Sequence, residues 1–136
     1  MTKSKQTSSP TRSRDKVLQT LYEIEVGGQD FKKVLENHPS EKSNKLYVDT
    51  LKGVVDSKKE IDKILIKHID RPIMKLDSIE RNALRIAIYE LINKETDTAV
   101  VINEAIRMSK KYGSVQGYKL VNAVLDSFIK ENQTYA

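Results

Sequence analysis

Arg12, Arg14 and Lys16 crowd the start of the sequence, and Lys110, Lys111 and Lys119 stand near its end. Side chains of these types at these spacings suit one kind of chemistry, the binding of phosphate. Guanidinium groups fork onto phosphate oxygens, and lysines add mobile point charge. Arg12 and Lys16 are four residues apart and so share one face of a helix, with Arg14 on an adjacent side. The amino terminus of that helix adds unpaired amides and a favourable field for an anion. Near the second cluster, Tyr112 and Tyr118 can stack on an unpaired base, and Gly113 and Gly117 let backbone amides approach a ligand. Each feature also has a structural reading. The arginines can pair with carboxylates inside the molecule, and lysines in a last turn complement a helix dipole. Gly113 can be a cap, and both tyrosines can be packing residues. Asp15 reads as a dipole complement rather than a ligand contact.

Nothing in the sequence assembles a catalytic centre. Gly27-Gly28 ends a helix and is not followed by the Gly-Lys-Ser/Thr of a phosphate loop. His38 sits in a polar loop and His68 near the end of a basic helix, neither with acidic partners at a metal-ligand spacing; both are expected to face solvent or cap a helix. The absence of cysteine excludes disulfides, a thiolate zinc site and a thiol nucleophile, and makes the cytoplasm the default compartment. The expectation is a chain that is not an enzyme, with no catalytic residues, no metal and no cofactor.

The elements that must carry the basic clusters follow from composition and periodicity. The chain has 136 residues, the size of one ordinary domain, with 24 Lys and Arg against 19 Asp and Glu. Its net charge of +5 is uneven. Lys3, Lys5, Arg12, Arg14 and Lys16 face Asp15 alone over the first twenty residues, the middle is close to neutral, and the end is basic again. Charge concentrated in this way attracts a polyanion. Hydrophobic residues make up 38%, with no apolar run long enough to span a bilayer, and the polar start carries no apolar leader segment. Residues 1–12 are expected to be a flexible basic arm, 13–131 one all-helical domain, and 132–136 a flexible tail.

About seven helices are legible. The first is expected over Ser13 to Val26, with Val17, Leu18, Leu21 and Ile24 at helical steps and Gly27-Gly28 as its stop. Asp30 can cap a short second helix with Phe31, Val34 and Leu35 turned inward, followed by a loop through Pro39. Asn44 to Ile69 is too long for one ordinary helix and weakens near Ser57-Lys58-Lys59, which predicts two helices meeting at a bend. Asp77 and Glu80 have capping-box spacing ahead of Ile79, Ala83, Leu84, Ile86, Ala87, Ile88 and Leu91. A helix apolar over more than half its circumference is central to the fold. Two further stripes follow, Val101 to Met108, closing at Tyr112-Gly113, and Leu120 to Ile129. Sustained period-two alternation is absent, so the fold class is all-α. Asn103 and Asn122 are expected to bond to a backbone end or loop, and Arg85 and Glu104 can form a buried or partly buried ion pair. Tyr22 and Tyr89 read as core residues, with their phenols at the edge of a partner surface as the alternative.

Ile79-Glu80-Arg81-Asn82-Ala83-Leu84-Arg85-Ile86-Ala87-Ile88-Tyr89-Glu90-Leu91 resembles the central helix of the bacterial transcription antitermination factors of the NusB family. So do Val101-Ile102-Asn103-Glu104-Ala105-Ile106, Lys110-Lys111-Tyr112-Gly113 and Lys119-Leu120-Val121-Asn122-Ala123-Val124-Leu125-Asp126, together with the first helix from Arg14 to Tyr22. The resemblance implies two three-helix groups sharing one small fold. It also implies binding of the boxA single strand of ribosomal RNA leader transcripts, jointly with the small-subunit ribosomal protein NusE, in an assembly that helps RNA polymerase resist termination. Carried onto this sequence, it assigns RNA contact to Arg12, Arg14, Lys16, Gln116 and Lys119, and the face that receives NusE to Tyr22 and Glu80.

The sequence departs from the family pattern at three places. Pro10 and Thr11 stand where two arginines are usual, Leu120 stands where some members have an aromatic, and Asp97-Thr98 replaces a proline-aromatic approach. The expected surface is continuous from the leading segment to the start of the last helix and separate from the face that docks a protein. The rival reading is a helical protein-interaction module that binds no RNA.

Overall fold

Ser9 and Pro10 begin the first helix. In the computed structural model, which describes residues 9–41 and 43–132, α1 runs over Pro10–Gly27, three residues earlier than expected. Ser9 is the cap, its hydroxyl accepting the Arg12 N–H at 3.4 Å, and Pro10 takes the first helical position, where a missing N–H costs nothing. Arg12 therefore belongs to the first turn of a helix and not to an arm. The rest of the expected arm, residues 1–8, and the tail from residue 133 lie outside the described residues. Gly28 ends α1 in the left-handed region at φ 67°, a conformation that suits glycine.

Asp30 caps α2 (Phe31–Glu36) by accepting the Lys33 N–H at 3.1 Å, and a short 3-10 turn follows at Pro39–Glu41. Asn44 caps α3 (Lys45–Asp56) through the Tyr47 N–H at 3.2 Å, and its amide donates to Ser13 Oγ at 2.9 Å, tying α3 to α1. The bend falls at Ser57, as expected, and α4 spans Lys58–Ile66. A second 3-10 turn, Ile73–Lys75, follows Pro72. Then come α5 (Ser78–Asn93), α6 (Thr98–Tyr112) and α7 (Gly117–Glu131), which makes seven α-helices among the described residues.

The helices α1, α2 and α3 pack as one group and α5, α6 and α7 as another, with α4 laid between α3 and α5. Helix α5 touches α1, α3, α4, α6 and α7, so the two groups share one core. Leu18 and Leu21 of α1, Leu51 of α3, Leu65 of α4, Leu84 and Ile88 of α5, Met108 of α6 and Leu125 of α7 meet there. Burying each such side chain contributes about 1.5–3 kcal/mol, which is the main force holding the groups together.

A buried charge cluster fastens the back of the fold. Glu25, near the end of α1, accepts from Arg81 at 3.0 and 2.6 Å, from Arg85 at 2.9 Å and from Asn82 at 3.1 Å. Arg85 also forks onto Asp62 of α4 at 2.9 and 3.0 Å. The expected Arg85–Glu104 pair is thus replaced, because α5 turns Arg85 toward α1 and α4 while Glu104 lies on α6. Burial alone would raise the Glu25 carboxyl; the hydrogen bonds from Arg81 and Arg85 outweigh it and hold the group at about 2.

Candidate nucleic-acid interface

Arg12, Lys16 and Tyr22, three of the residues singled out in the sequence, line a single groove. It encloses about 570 Å³, and Asp15, Leu18, Gln19, Ile79 and Tyr112 complete its walls. Arg12 and Lys16 form a cationic rim, and Leu18, Tyr22, Ile79 and Tyr112 an apolar floor. The groove lies along α1 because Arg12, Lys16 and Gln19 fall on the face opposite the core stripe of Val17, Leu18 and Leu21.

Arg14 departs from its expected place on this surface. Its guanidinium turns inward, 5% exposed, and forks onto Glu90 through Nε at 2.8 Å and Nη2 at 2.7 Å, with Glu104 at 3.6 Å from Nη1. The bond to Glu90 raises its affinity for its proton, so the charge is locked inside. Periodicity carried the signal: Arg14 precedes Val17, Leu18 and Leu21 by three, four and seven residues and so lies on the buried stripe.

Glu80 departs in the same way. It is 2% exposed, beneath the connection between α6 and α7, and accepts from Ser109 Oγ at 3.2 Å and from the Ser114 N–H at 3.0 Å and Oγ at 3.2 Å. It presents no carboxylate to a partner, and it does not close a capping box. Asp77 alone caps α5, accepting the Ile79 N–H at 2.9 Å. Burial raises the Glu80 carboxyl above its ordinary value, against the opposing bonds from Ser114 and Ser109. Glu80 instead shapes the turn that carries Gln116, which is exposed at the start of α7.

The basic clusters adjoin. Asp15 of α1 accepts from Arg107 at 2.7 Å and from the Tyr112 hydroxyl at 3.2 Å, with Lys111 Nζ 3.7 Å away. Asp15 is therefore a link between α1 and α6, beyond the role expected of a dipole complement. Lys111 lies over the Tyr112 ring at 5.2 Å, and Lys110 over the Tyr118 ring at 4.7 Å. A second concavity, of about 320 Å³, opens there between Ile106, Lys110, Tyr118, Lys119 and Asn122. Basic side chains thus continue from Arg12 and Lys16 through Lys111 and Lys110 to Lys119. Tyr22, expected on a face separate from the basic surface, lines the same groove as Arg12 and Lys16.

Other residues depart from expectation, the two histidines among them, whose side chains are 16% (His38) and 4% (His68) exposed. Tyr22 is 41% exposed and so is no core residue. Asn103 and Asn122 both face solvent on their helices. Leu120 packs against the core, which explains an aliphatic side chain there. Asp15 and Asn122 emerge only from the assembled helices, because neither breaks the local pattern. Among the described residues no group of three His, Asp or Glu is placed to hold a metal ion, and no helix is long and apolar enough to cross a membrane. His38 meets Glu23 at 3.1 Å and His68 meets Ser127 at 2.8 Å.

The family model described as NusB family matches residues 11–130. The chain belongs to the NusB family. Its similarity to NusB relatives extends over nearly its whole length: 36% identity over 125 residues to the transcription antitermination protein NusB of Dechloromonas aromatica (strain RCB), covering 88% of this chain and 77% of that one. NusB of Xanthomonas campestris pv. campestris (strain B100) is 36% identical over 122 residues, covering 85% and 77%. In three dimensions the chain matches T. maritima NusB with a TM-score of 0.81 and 28% identity, over 90% of this chain and 92% of that one. A chain in a crystal structure of antitermination factors NusB and NusE in complex with double-stranded RNA matches with a TM-score of 0.74 and 31% identity, over 88% and 94%. As a bacterial NusB-family chain it is a transcription antitermination protein, from a family that acts by binding and not by catalysis.

Proposed function

We propose that the chain binds the boxA single strand of ribosomal RNA leader transcripts together with the small-subunit ribosomal protein NusE, and that this assembly joins RNA polymerase in the cytoplasm and helps it resist termination. One observation carries the reading: cationic Arg12 and Lys16 and the exposed phenol of Tyr22 line the same groove. The apolar floor suits a protein side chain, and the rim suits phosphate. A relative of this fold occurs in a crystal structure with NusE and RNA, which supports the same pairing of ligands.

In this reading Arg12, Lys16, Lys110, Lys111, Gln116 and Lys119 contact RNA, and Tyr22 contacts NusE. Arg14 and Glu80 act from inside, the first by fastening α1 to α5 and the second by shaping the turn before α7. Because the two ligands share the groove, each orders side chains that the other uses, and binding is cooperative. Phosphate contacts supply affinity without base identity, so selectivity comes from base contacts elsewhere on the surface.

The test is a titration of a boxA-type RNA and a scrambled control with the chain, with and without NusE, at two salt concentrations. Selective tightening in the presence of NusE is expected, with a log–log salt slope of about −0.7 per neutralised phosphate. Salt-independent RNA binding, or none, overturns the proposal and leaves a module that docks protein alone.

A further inference from the structure

We infer that the concavity between α6 and α7 is a reading pocket for one unpaired nucleobase of the bound strand, with Tyr118 as its stacking platform and Asn122 as the group that reads the base edge. The inference rests on the RNA-binding function proposed above and goes further by separating a base contact from phosphate contacts. Asn122 is the first ground. Its primary amide faces solvent on α7 and has no hydrogen-bond partner among the described residues, yet it lines a concavity of about 320 Å³. A side-chain amide offers two donors and an acceptor in one plane, a match for the edge of a base and a poor match for phosphate alone.

Tyr118 supplies the second ground. Its ring is partly exposed in the same concavity, with the Lys110 ammonium 4.7 Å from its centre. An exposed ammonium over a phenol is weakly held, whereas a base stacked on an aromatic ring is a stronger interaction, so a base displaces Lys110 without losing the ring. The freed ammonium and that of Lys119, on the same rim, then meet the phosphates on either side of the base. Ile106 closes the apolar end of the pocket. The arrangement has a stacking surface, an edge reader and flanking cations, which is the minimum that single-strand recognition requires.

Asn122→Ala and Tyr118→Leu, each checked by circular dichroism, are titrated with NusE present. The probes are a boxA-type RNA, a scrambled RNA, and copies of the boxA-type RNA with one abasic site at each successive position. Expected is a loss of about tenfold for either variant on the intact RNA, little change on the scrambled RNA, and disappearance of the Asn122→Ala effect at one abasic position. Should Asn122→Ala bind every RNA as the wild type does, or lose equally on all of them, the pocket reads no base and the inference is overturned while the RNA-binding function stands. Failure of the wild-type chain to bind any RNA removes both, so the two failures are distinguishable.

Discussion

The carboxylate of Glu80 occupies the space that a side chain on Gly117 would need, and it also crowds the corresponding space at Gly113. The two glycines that bracket the turn before α7 are thus required by close approach, and Gly113 has an extended backbone that other residues adopt freely. Gly117→Ala is expected to destabilise the protein by about 1–3 kcal/mol in urea unfolding, as overpacking does. In the double variant with Glu80→Ala, the alanine costs should be less than additive, since the clash is gone. Strict additivity would show that the turn accommodates the methyl group elsewhere.

Glu25 and Glu80 set opposite pH dependences. The Glu25 carboxyl lies at about 2 in the folded protein against an ordinary 4.5, so its contribution is complete above 4.5 and is lost as the pH falls through that window toward 2. The full shift would correspond to roughly 3.4 kcal/mol, and solvent screening at this partly exposed carboxylate keeps the contribution below that. Glu25→Gln should flatten the acid limb of a plot of unfolding free energy against pH in that range.

The Glu80 carboxyl is raised, chiefly by burial. The folded state then holds the proton more firmly than the unfolded chain, so this stabilisation is full below the ordinary value and is lost as the pH rises through the folded one. Glu80→Gln should remove that decline above pH 4.5. A decline of unchanged slope in urea titrations across that range would assign it to another group.

Arg12 and Arg14 differ by two positions and should behave as different kinds of residue. Arg14→Ala leaves Glu90 buried without its partner and is expected to cost about 3–5 kcal/mol of stability. Arg12→Ala should change stability by no more than about 0.5 kcal/mol and lower the magnitude of the RNA salt slope by about 0.7. Thermal unfolding and RNA titration of both variants check the contrast.

Tyr22→Asp places a charge on the floor of the α1 groove. Because the side chain is exposed, circular dichroism should be unchanged, while affinity for NusE falls by about 2 kcal/mol or more in calorimetric titration. An unchanged isotherm would move the partner face away from this groove.

The helices are legible in the sequence where the governing forces are local. Asp30 and Asp77 mark helix starts because a short acidic side chain satisfies amides two or three residues on, and Gly28 marks a stop because it tolerates a left-handed backbone. The central place of α5 followed from apolar residues around most of its circumference. Even the burial of Arg14 and Glu80 was written in their spacing to Val17 and Leu18, and to Ala83 and Leu84.

What these residues hold was decided only when the helices packed. Arg14 meets Glu90 across 76 positions of chain, and Glu80 meets Ser114 across 34. No local pattern encodes such pairings, since they depend on the relative placement of α1, α5 and α6. The same placement put Tyr22 in one groove with Lys16 and gathered Lys110, Tyr118 and Asn122 around one concavity. The sequence by itself determined the helices, their buried faces and the excess of positive charge at both ends, because backbone hydrogen bonding and amphipathic periodicity act over a few residues. Tertiary structure alone decided which carboxylate each buried cation meets and which surface cations come to share a groove, because charge pairing depends on neighbours that the chain brings together only by folding.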